Sequence, residues 1–177
     1  MTVGEVFNEK PGNHALSASF LGNGRDQLHL AFDFSLVFEK WQARRFFNQI
    51  AGIYKALPEK GWPCFVLSNH DNPRSAARYG RGLRGERRNR VALTLLLTLR
   101  GTPFLYYGEE LGMRDGRIRK EELQDPVGKR YWPFNKGRDP ERTPMQWDGG
   151  LNGGFSTGRP WLPVNKDYPR RNVELQR

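Results

Sequence analysis

Hydrophobic residues recur in short runs that are typical of β-strands. Every second residue from Leu28 to Phe34 is large and apolar, which predicts a strand with one face on the core. Three further apolar segments, at residues 1–5, 64–69 and 102–107, are short enough to be strands that are buried on both faces. The pattern therefore predicts four strands.

Helical periodicity separates these strands. Apolar residues recur at helical spacing over residues 39–57, where Pro58 ends the pattern. We expect a second helix over 86–99, which is basic at its start and apolar at its end. The segment 8–25 is rich in glycine and proline, and we expect a loop there. Strands that alternate with helices favour a parallel sheet with right-handed crossover connections.

The pattern divides the chain into two regions. Residues 1–113 carry the predicted strand–helix alternation, whereas residues 114–177 are rich in tryptophan and proline and show no periodicity. We interpret the second region as a long ordered loop that leads towards a final barrel helix, which is missing or barely begun at 171–177. A closed β/α barrel needs eight strands in typically about 250 residues, so four strands predict an α/β protein that is half of a (β/α)8 TIM barrel.

Charge raises a different possibility. The net charge is +10, and seven arginines lie between Arg74 and Arg90. Such a cluster could bind nucleic acid or another polyanion. Aromatic residues there are limited to Tyr79, and no nucleic-acid-binding motif is present. We therefore interpret the cluster as a solvated loop and the exposed face of the following helix, with no nucleic-acid partner.

Other compositional features narrow the class of protein. Cys64 is the only cysteine, so it can form no internal disulfide, and its apolar neighbours predict a buried small side chain. The most apolar stretch, residues 91–99, is far shorter than the roughly 20 residues that cross a bilayer. Polar residues such as Glu9 and Lys10 stand where a signal peptide would be apolar. We expect a cytoplasmic protein with no membrane partner.

Candidate chemistry follows the third predicted strand. The apolar run ends at Asn69-His70-Asp71, and Pro73 disfavours a helix beginning there. In a β/α barrel, the carboxyl end of a strand faces the active site. Taken alone, the segment is equally consistent with a turn whose polar groups bond to one another.

Three other segments extend this motif. The chain opens Thr-Val-Gly-Glu and contains Gly-Thr-Pro-Phe-Leu-Tyr-Tyr-Gly-Glu-Glu-Leu-Gly-Met from residue 101 and Arg-Thr-Pro-Met-Gln-Trp-Asp from residue 142. In this order and spacing, the four segments resemble the α-amylase superfamily, glycoside hydrolase family 13. The likeness is greatest to its α-glucosidase and oligo-1,6-glucosidase branch, and it extends over essentially the whole chain. In the pattern of that family, the four strands would be strands five to eight of the barrel.

The resemblance implies a role for each motif residue in retaining cleavage of α-glucosidic bonds. Such cleavage needs two carboxyl groups beside the scissile bond. By resemblance, Glu5 is the general acid/base and Asp71 is the third carboxylate of the family, which binds sugar hydroxyls and helps the ring to distort. His70 and Arg142 would bind the same glucose, and we add Asn69 as a substrate contact.

Alternatives remain open for these residues. Glu5 could be a surface carboxylate near a chain end. Arg142 could form a structural ion pair, with Glu141 or Asp139 as its partner. Arg74, a further candidate substrate contact, could equally anchor a loop. We expect no cofactor and no metal ligand set in this chain.

The sequence departs from the family at the nucleophile. The aspartate of the family's Gly-Phe-Arg-x-Asp segment, on the fourth strand, has no counterpart in the 177 residues. We therefore expect a fragment of an α-glucosidase that is inactive alone and needs the other half of the barrel as its partner. Alternatives are a trehalose- or sucrose-handling relative, a sugar-binding or assembly module, and, more weakly, a polyanion-binding protein.

The predicted half-barrel also leaves two strand edges without a neighbour. Unpaired edge strands recruit other strands, and Phe65, Leu67, Phe104 and Leu105 are too numerous for both faces of the sheet to be exposed to water. We therefore expect a homodimer in which residues 1–5 of one copy pair with residues 102–107 of the other, or else aggregation unless the other half of the barrel is supplied.

Overall fold

The computed structural model describes residues 1–8, 12–24 and 26–177. Part of the predicted loop over residues 8–25, namely 9–11 and 25, lies outside the described residues. The chain divides into two compact units, and the first comprises residues 1–67 and 91–105, the second residues 68–90 and 106–177. The sequence predicted a different division, into a half-barrel at residues 1–113 and a loop region at 114–177. That division stays a prediction.

The first unit contains a four-stranded parallel sheet. Its strands are β1 (Val3–Gly4), β2 (Leu30–Asp33), β3 (Cys64–Val66) and β4 (Thr102–Phe104). They stand in the order β1-β2-β3-β4, and each neighbouring pair is parallel. The four predicted strands and their parallel arrangement are therefore confirmed, although each is shorter than predicted.

Both faces of β2 are buried, which the alternating pattern did not predict. Leu30, Ala31 and Asp33 are all buried in this strand. Asp33 tolerates burial because its Oδ2 lies 2.8 Å from Nδ1 of His14 and its Oδ1 accepts a hydrogen bond of 2.8 Å from the backbone N–H of Ser35. Buried polar groups need such partners.

Helices flank the strands along the chain. In chain order they are α1 (His14–Ser19), α2 (Ser35–Phe38), α3 (Ala43–Ala56), α4 (Ser75–Arg78), α5 (Gly82–Thr98), α6 (Pro126–Tyr131) and α7 (Val173–Gln176). Helices α3 and α5 confirm the two predicted helices. Helix α1 corrects the predicted loop, since Asn13 caps this helix with its side chain. Among the described residues, no helix is long and apolar enough to span a membrane.

Residues 114–177 lack strands but contain short ordered turns of helix. Three 3₁₀ segments, at Lys120–Glu122, Asp139–Arg142 and Leu151–Gly154, accompany α6 and α7. Ile118, Leu123 and Leu162 form a small buried cluster with Trp132 packed against it. The predicted ordered character of this region is consistent with these elements.

The structure tests two predictions about burial, one for Cys64 and one for the large apolar residues of the sheet. Cys64 is buried, and burial raises the pKa of its thiol to about 12, as expected for a small side chain in the core. Phe65 and Leu67 are also buried within the chain, whereas Leu105 is 46% exposed. Fewer apolar groups are therefore uncovered than we expected. Pairing of β1 and β4 with a second copy stays a prediction.

Candidate active site

The segment that follows β3 forms a tight turn. The side-chain oxygen of Asn69 accepts hydrogen bonds of 3.0 Å from the backbone N–H of Asp71 and from the side-chain amide of Asn72. Asn69 and Asn72 also form an isolated antiparallel bridge. Asx turns of this kind hold the backbone without help from a helix or a strand. The turn presents the side chains of His70 and Asp71 side by side, with His70 Nε2 lying 3.6 Å from Asp71 Oδ2.

Arg142 reaches this turn from a distant part of the second unit. Its Nε donates a hydrogen bond of 2.8 Å to the backbone oxygen of His70. One of its terminal nitrogens donates a hydrogen bond of 2.8 Å to Asp71 Oδ1. The ion-pair partner of Arg142 is therefore Asp71, rather than the neighbouring Glu141 or Asp139. The structure brings together three residues that the sequence analysis had selected.

Arg138 is a second cation at Asp71 that was not predicted from the sequence. It donates 3.0 Å hydrogen bonds both to Asp71 Oδ1 and to Oδ2 of the buried Asp125. Asp125 in turn caps α6 by accepting from the backbone N–H of Val127. The sequence Asp-Pro at the start of α6 is a typical helix-capping signal that could have identified Asp125. No local pattern marks Arg138, because its partners are distant in sequence.

These contacts determine the charge of Asp71. Partial burial alone would raise the pKa of its carboxyl group, but the hydrogen bonds from Arg138 and Arg142 and the neighbouring imidazole of His70 outweigh burial and lower it. Asp71 is therefore an anion at neutral pH. An anionic carboxylate can accept hydrogen bonds from hydroxyl groups or stabilise a nearby positive charge.

A pocket of about 1080 Å³ opens beside His70 and Arg142 within the second unit. Aromatic side chains form much of its wall: Tyr106, Tyr107, Trp147, Phe155 and Trp161. Ligand pockets typically combine an apolar wall with a few polar groups that orient the ligand. Here the imidazole of His70 and the guanidinium of Arg142 supply those polar groups.

Arg74 lies behind the site rather than at its rim. Its side chain is fully buried, and its two terminal nitrogens donate to the backbone oxygens of Tyr107 at 2.5 Å and Glu141 at 2.8 Å. Its guanidinium also lies 4.7 Å and 4.6 Å from the ring centres of Tyr106 and Tyr107. A buried guanidinium cannot contact a sugar, so the structure favours the loop-anchor alternative and corrects the placement of Arg74 in a solvated loop.

Two tyrosines extend this anchor to the segment that carries Arg142. The hydroxyl of Tyr106 donates to the backbone oxygen of Glu141 at 3.2 Å, and the hydroxyl of Tyr107 donates to that of Thr143 at 2.7 Å. The backbone on both sides of Arg142 is thereby attached to residues that follow β4. The position of Arg142 depends on this buried framework.

Glu5 belongs to the first unit, directly after β1, and its side chain is exposed. Just before β1, the hydroxyl of Thr2 lies 2.9 Å from Nδ1 of His29, which directly precedes β2. Glu5 thus stands at the carboxyl end of a parallel strand, which is the position where barrels of this class carry catalytic groups. Its role stays a prediction.

Comparison with known proteins identifies the family. The profile of the α-amylase catalytic domain matches residues 1–177. The chain belongs to the α-amylase family, glycoside hydrolase family 13. The chain is 36% identical to a probable alpha-glucosidase of Rhizobium meliloti (strain 1021), over 98% of the chain and 31% of that relative. It is 32% identical to an oligo-1,6-glucosidase of Parageobacillus thermoglucosidasius, over 98% of the chain and 36% of that relative.

Solved structures of family 13 enzymes show the same fold. An alpha-glucosyl transfer enzyme superposes with a TM-score of 0.88 at 35% identity, covering 98% of this chain and 32% of that one. An isomaltulose synthase variant from Erwinia rhapontici NX5, in complex with sucrose, superposes with a TM-score of 0.81 at 30% identity, covering 98% of this chain and 36% of that one. The chain spans about a third of the length of these relatives.

Two carboxyl groups that interact with Arg74, those of Glu141 and Asp115, repel each other. Burial and the nearby charge of Asp115 raise the pKa of Glu141 to about 7. Burial also raises the pKa of Asp115, although its Oδ1 accepts a hydrogen bond of 2.8 Å from the backbone N–H of Arg74. Glu141 therefore loses its proton close to neutral pH.

This shift predicts a pH-dependent stability. The folded state binds the Glu141 proton more tightly than the unfolded state does, so the contribution of Glu141 is complete below its ordinary pKa and is lost as pH rises through about 7. We expect Glu141→Gln to become more stable relative to the unsubstituted chain by about 2–3 kcal/mol between pH 4 and pH 8. Urea unfolding at several pH values measures this change. The matched control is Glu59→Gln at an exposed carboxylate, and equal slopes for both variants would contradict the prediction.

Proposed function

We propose that this chain supplies strands five to eight of a retaining family 13 barrel that acts on α-glucosidic bonds of short oligosaccharides. The names of the relatives support this substrate class, since they include alpha-glucosidases and oligo-1,6-glucosidases. Because the chain spans about a third of those proteins, the remaining strands and the nucleophile would come from another part of the enzyme.

One observation carries the proposal: Arg142 contacts both His70 and Asp71 at the mouth of an aromatic pocket. In this proposal, Asp71 accepts hydrogen bonds from sugar hydroxyls and stabilises the positive charge that develops in an oxocarbenium-like transition state. His70 donates to a neighbouring hydroxyl of the same glucose. The arginine orients that glucose.

The state of Asp71 supports this role. A carboxylate whose pKa is lowered remains charged while the sugar ring becomes positive, so it favours the transition state over the neutral ground state. In the structure, Arg138 and Arg142 both bind Asp71 Oδ1. Its Oδ2 faces His70 at 3.6 Å. A sugar hydroxyl can therefore approach Oδ2 without displacing either arginine.

The remaining carboxyl group of the proposal is Glu5. A retaining glycosidase needs a general acid that protonates the leaving oxygen and later activates water. Glu5 follows a parallel strand in the segment Thr-Val-Gly-Glu, the position of the acid/base in the family, and its exposed side chain is open to a ligand. We therefore assign the acid/base role to Glu5.

Glucosyl transfer is a second candidate function, favoured by the solved structures. These include an alpha-glucosyl transfer enzyme, an isomaltulose synthase in complex with sucrose and a trehalulose synthase. Hydrolysis and transfer use the same covalent intermediate and differ in whether water or a sugar attacks it. The ratio of glucose to glucosylated product, measured with maltose or sucrose as substrate on the completed enzyme, separates the two.

Sugar binding by the chain tests the proposed pocket directly. We expect Arg142→Ala to weaken maltose binding roughly tenfold to a hundredfold, because it removes a charged hydrogen-bond donor. Isothermal titration calorimetry measures the affinity. The matched control is Arg159→Ala, an exposed arginine that does not line the pocket. Unchanged binding by Arg142→Ala, or equal weakening by the control, would remove Arg142 from the site.

A further inference from the structure

A second groove of the same unit has a different chemistry. It encloses about 1450 Å³ and is lined by a succession of charged side chains. Its walls come from residues near the start of α5, from 114–122, from Lys136 and from 163–170. It shares no lining residue with the aromatic pocket, so a ligand in the groove would not occupy the proposed sugar site.

Cationic side chains dominate the groove. Besides the partly buried Arg114, five of them form no ion pair within 4.0 Å with any carboxylate of the part of the chain that the structure describes. They are Arg81, Arg117, Lys136, Lys166 and Arg170. All five are exposed. Positive charges that converge on one concave surface create an attractive potential for anions.

The carboxylates of the groove are already engaged. Asp115 accepts from the backbone N–H of Arg74 at 2.8 Å. Glu122 pairs with Arg119 at 2.8 Å, and Asp167 pairs with Arg171 at 3.0 Å. Seven cationic side chains and three carboxylates line the groove, which therefore keeps a positive excess.

We propose that this groove binds a linear polyphosphate. Its volume exceeds the roughly 300–1,000 Å³ of typical small-ligand sites, which favours an extended ligand over a single phosphate ion. The groove has no aromatic residue among the described residues that line it, and nucleic-acid bases need such side chains to stack on when single strands bind. A chain of phosphates without bases fits both the positive charge of the groove and its lining, which has no aromatic side chain among the described residues.

Arginine and lysine bind phosphate groups in different ways. Arginine donates two parallel hydrogen bonds to phosphate oxygens, whereas lysine acts as a mobile point charge. Arg81, Arg117 and Arg170 would thus determine the register of the phosphates, and Lys136 and Lys166 would add attraction. Binding that depends on several phosphate contacts should weaken steeply as salt increases.

The test uses the whole chain and a short-chain linear inorganic polyphosphate as the probe. The groove variant combines Arg81→Gln, Arg117→Gln and Arg170→Gln. The matched control combines Arg44→Gln, Arg84→Gln and Arg87→Gln, which removes the same charge from exposed positions outside the groove. Circular dichroism and thermal unfolding verify that both variants fold.

We expect the groove variant to bind polyphosphate roughly tenfold or more weakly, because three exposed charged groups no longer face the phosphates. The slope of log affinity against log salt should fall by about one for each arginine that is replaced. The control should retain most of the affinity. Three results would overturn the proposal: no binding of polyphosphate, equal weakening in both variants, or equally tight binding of single-stranded DNA of matched charge.

Discussion

The 177-residue chain alone is expected to leave p-nitrophenyl α-glucoside intact. Retaining hydrolysis needs a nucleophilic carboxylate as well as an acid/base, and the chain contains Glu5 and Asp71 but no Gly-Phe-Arg-x-Asp segment. Loss of the nucleophile from an enzyme that forms a covalent intermediate lowers the rate by roughly 10⁴- to 10⁶-fold. A continuous assay of p-nitrophenol release measures the rate against a complete family 13 α-glucosidase.

The substitution Glu5→Gln shows whether any residual activity belongs to this chain. A contaminating glucosidase would be unaffected by it. A substantial rate that disappears in Glu5→Gln would contradict the prediction, because it would mean that some other carboxylate of the chain serves as the nucleophile. Asp71 would then be the first residue to test, since it is the carboxylate that contacts Arg138 and Arg142.

Arg74→Met is expected to destabilise the second unit by about 3–5 kcal/mol, the range measured when one partner of a buried charged network is removed. The substitution leaves the backbone oxygens of Tyr107 and Glu141 without their donor, and it removes a cation whose charge lowers the pKa values of Asp115 and Glu141. Urea unfolding at pH 7 measures the change in the free energy of unfolding.

Arg84→Met is the matched control for Arg74→Met. Arg84 is exposed on α5, and surface substitutions usually change stability by no more than about 0.5 kcal/mol. Arg74→Lys should fall between the two, because lysine keeps the charge but cannot donate to two carbonyl groups in the same geometry. If Arg74→Met lowers the free energy of unfolding no more than Arg84→Met does, the buried guanidinium is not what stabilises the segment that carries Arg142.

The spacing of apolar residues along the chain correctly predicted some of the helices and strands. Helix α3 and the buried strand β3 follow from the spacing of apolar residues within a dozen neighbours. Helix α1 was missed because its six residues carry too little periodicity and because the glycines and the proline of segment 8–25 favoured a loop. Its cap, Asn13, is a local signal that could have identified it.

Some features of the candidate site were likewise predicted from the sequence, and others were not. Resemblance to family 13 selected His70, Asp71 and Arg142, and the strand ending before Asn69 indicated where the first two would lie. That Arg142 binds Asp71 rather than its neighbours Glu141 or Asp139 depends on the path of the chain between them. The roles of Arg138 and Arg74 are likewise invisible in sequence, since an exposed ion pair and a buried anchor use the same residue type.

The alternation of strands and helices, the family, and the motif that ends β3 could all be predicted from the sequence, because each depends on residues that are close together or on a linear pattern. Which arginines face solvent, which bind Asp71 and which lie in the core could not be predicted, because this depends on contacts that form on folding. A guanidinium is stable in water, and it is stable in the core when protein oxygens accept hydrogen bonds from its terminal nitrogens. Those acceptors, such as the backbone oxygens of Tyr107 and Glu141, are brought to Arg74 only by folding.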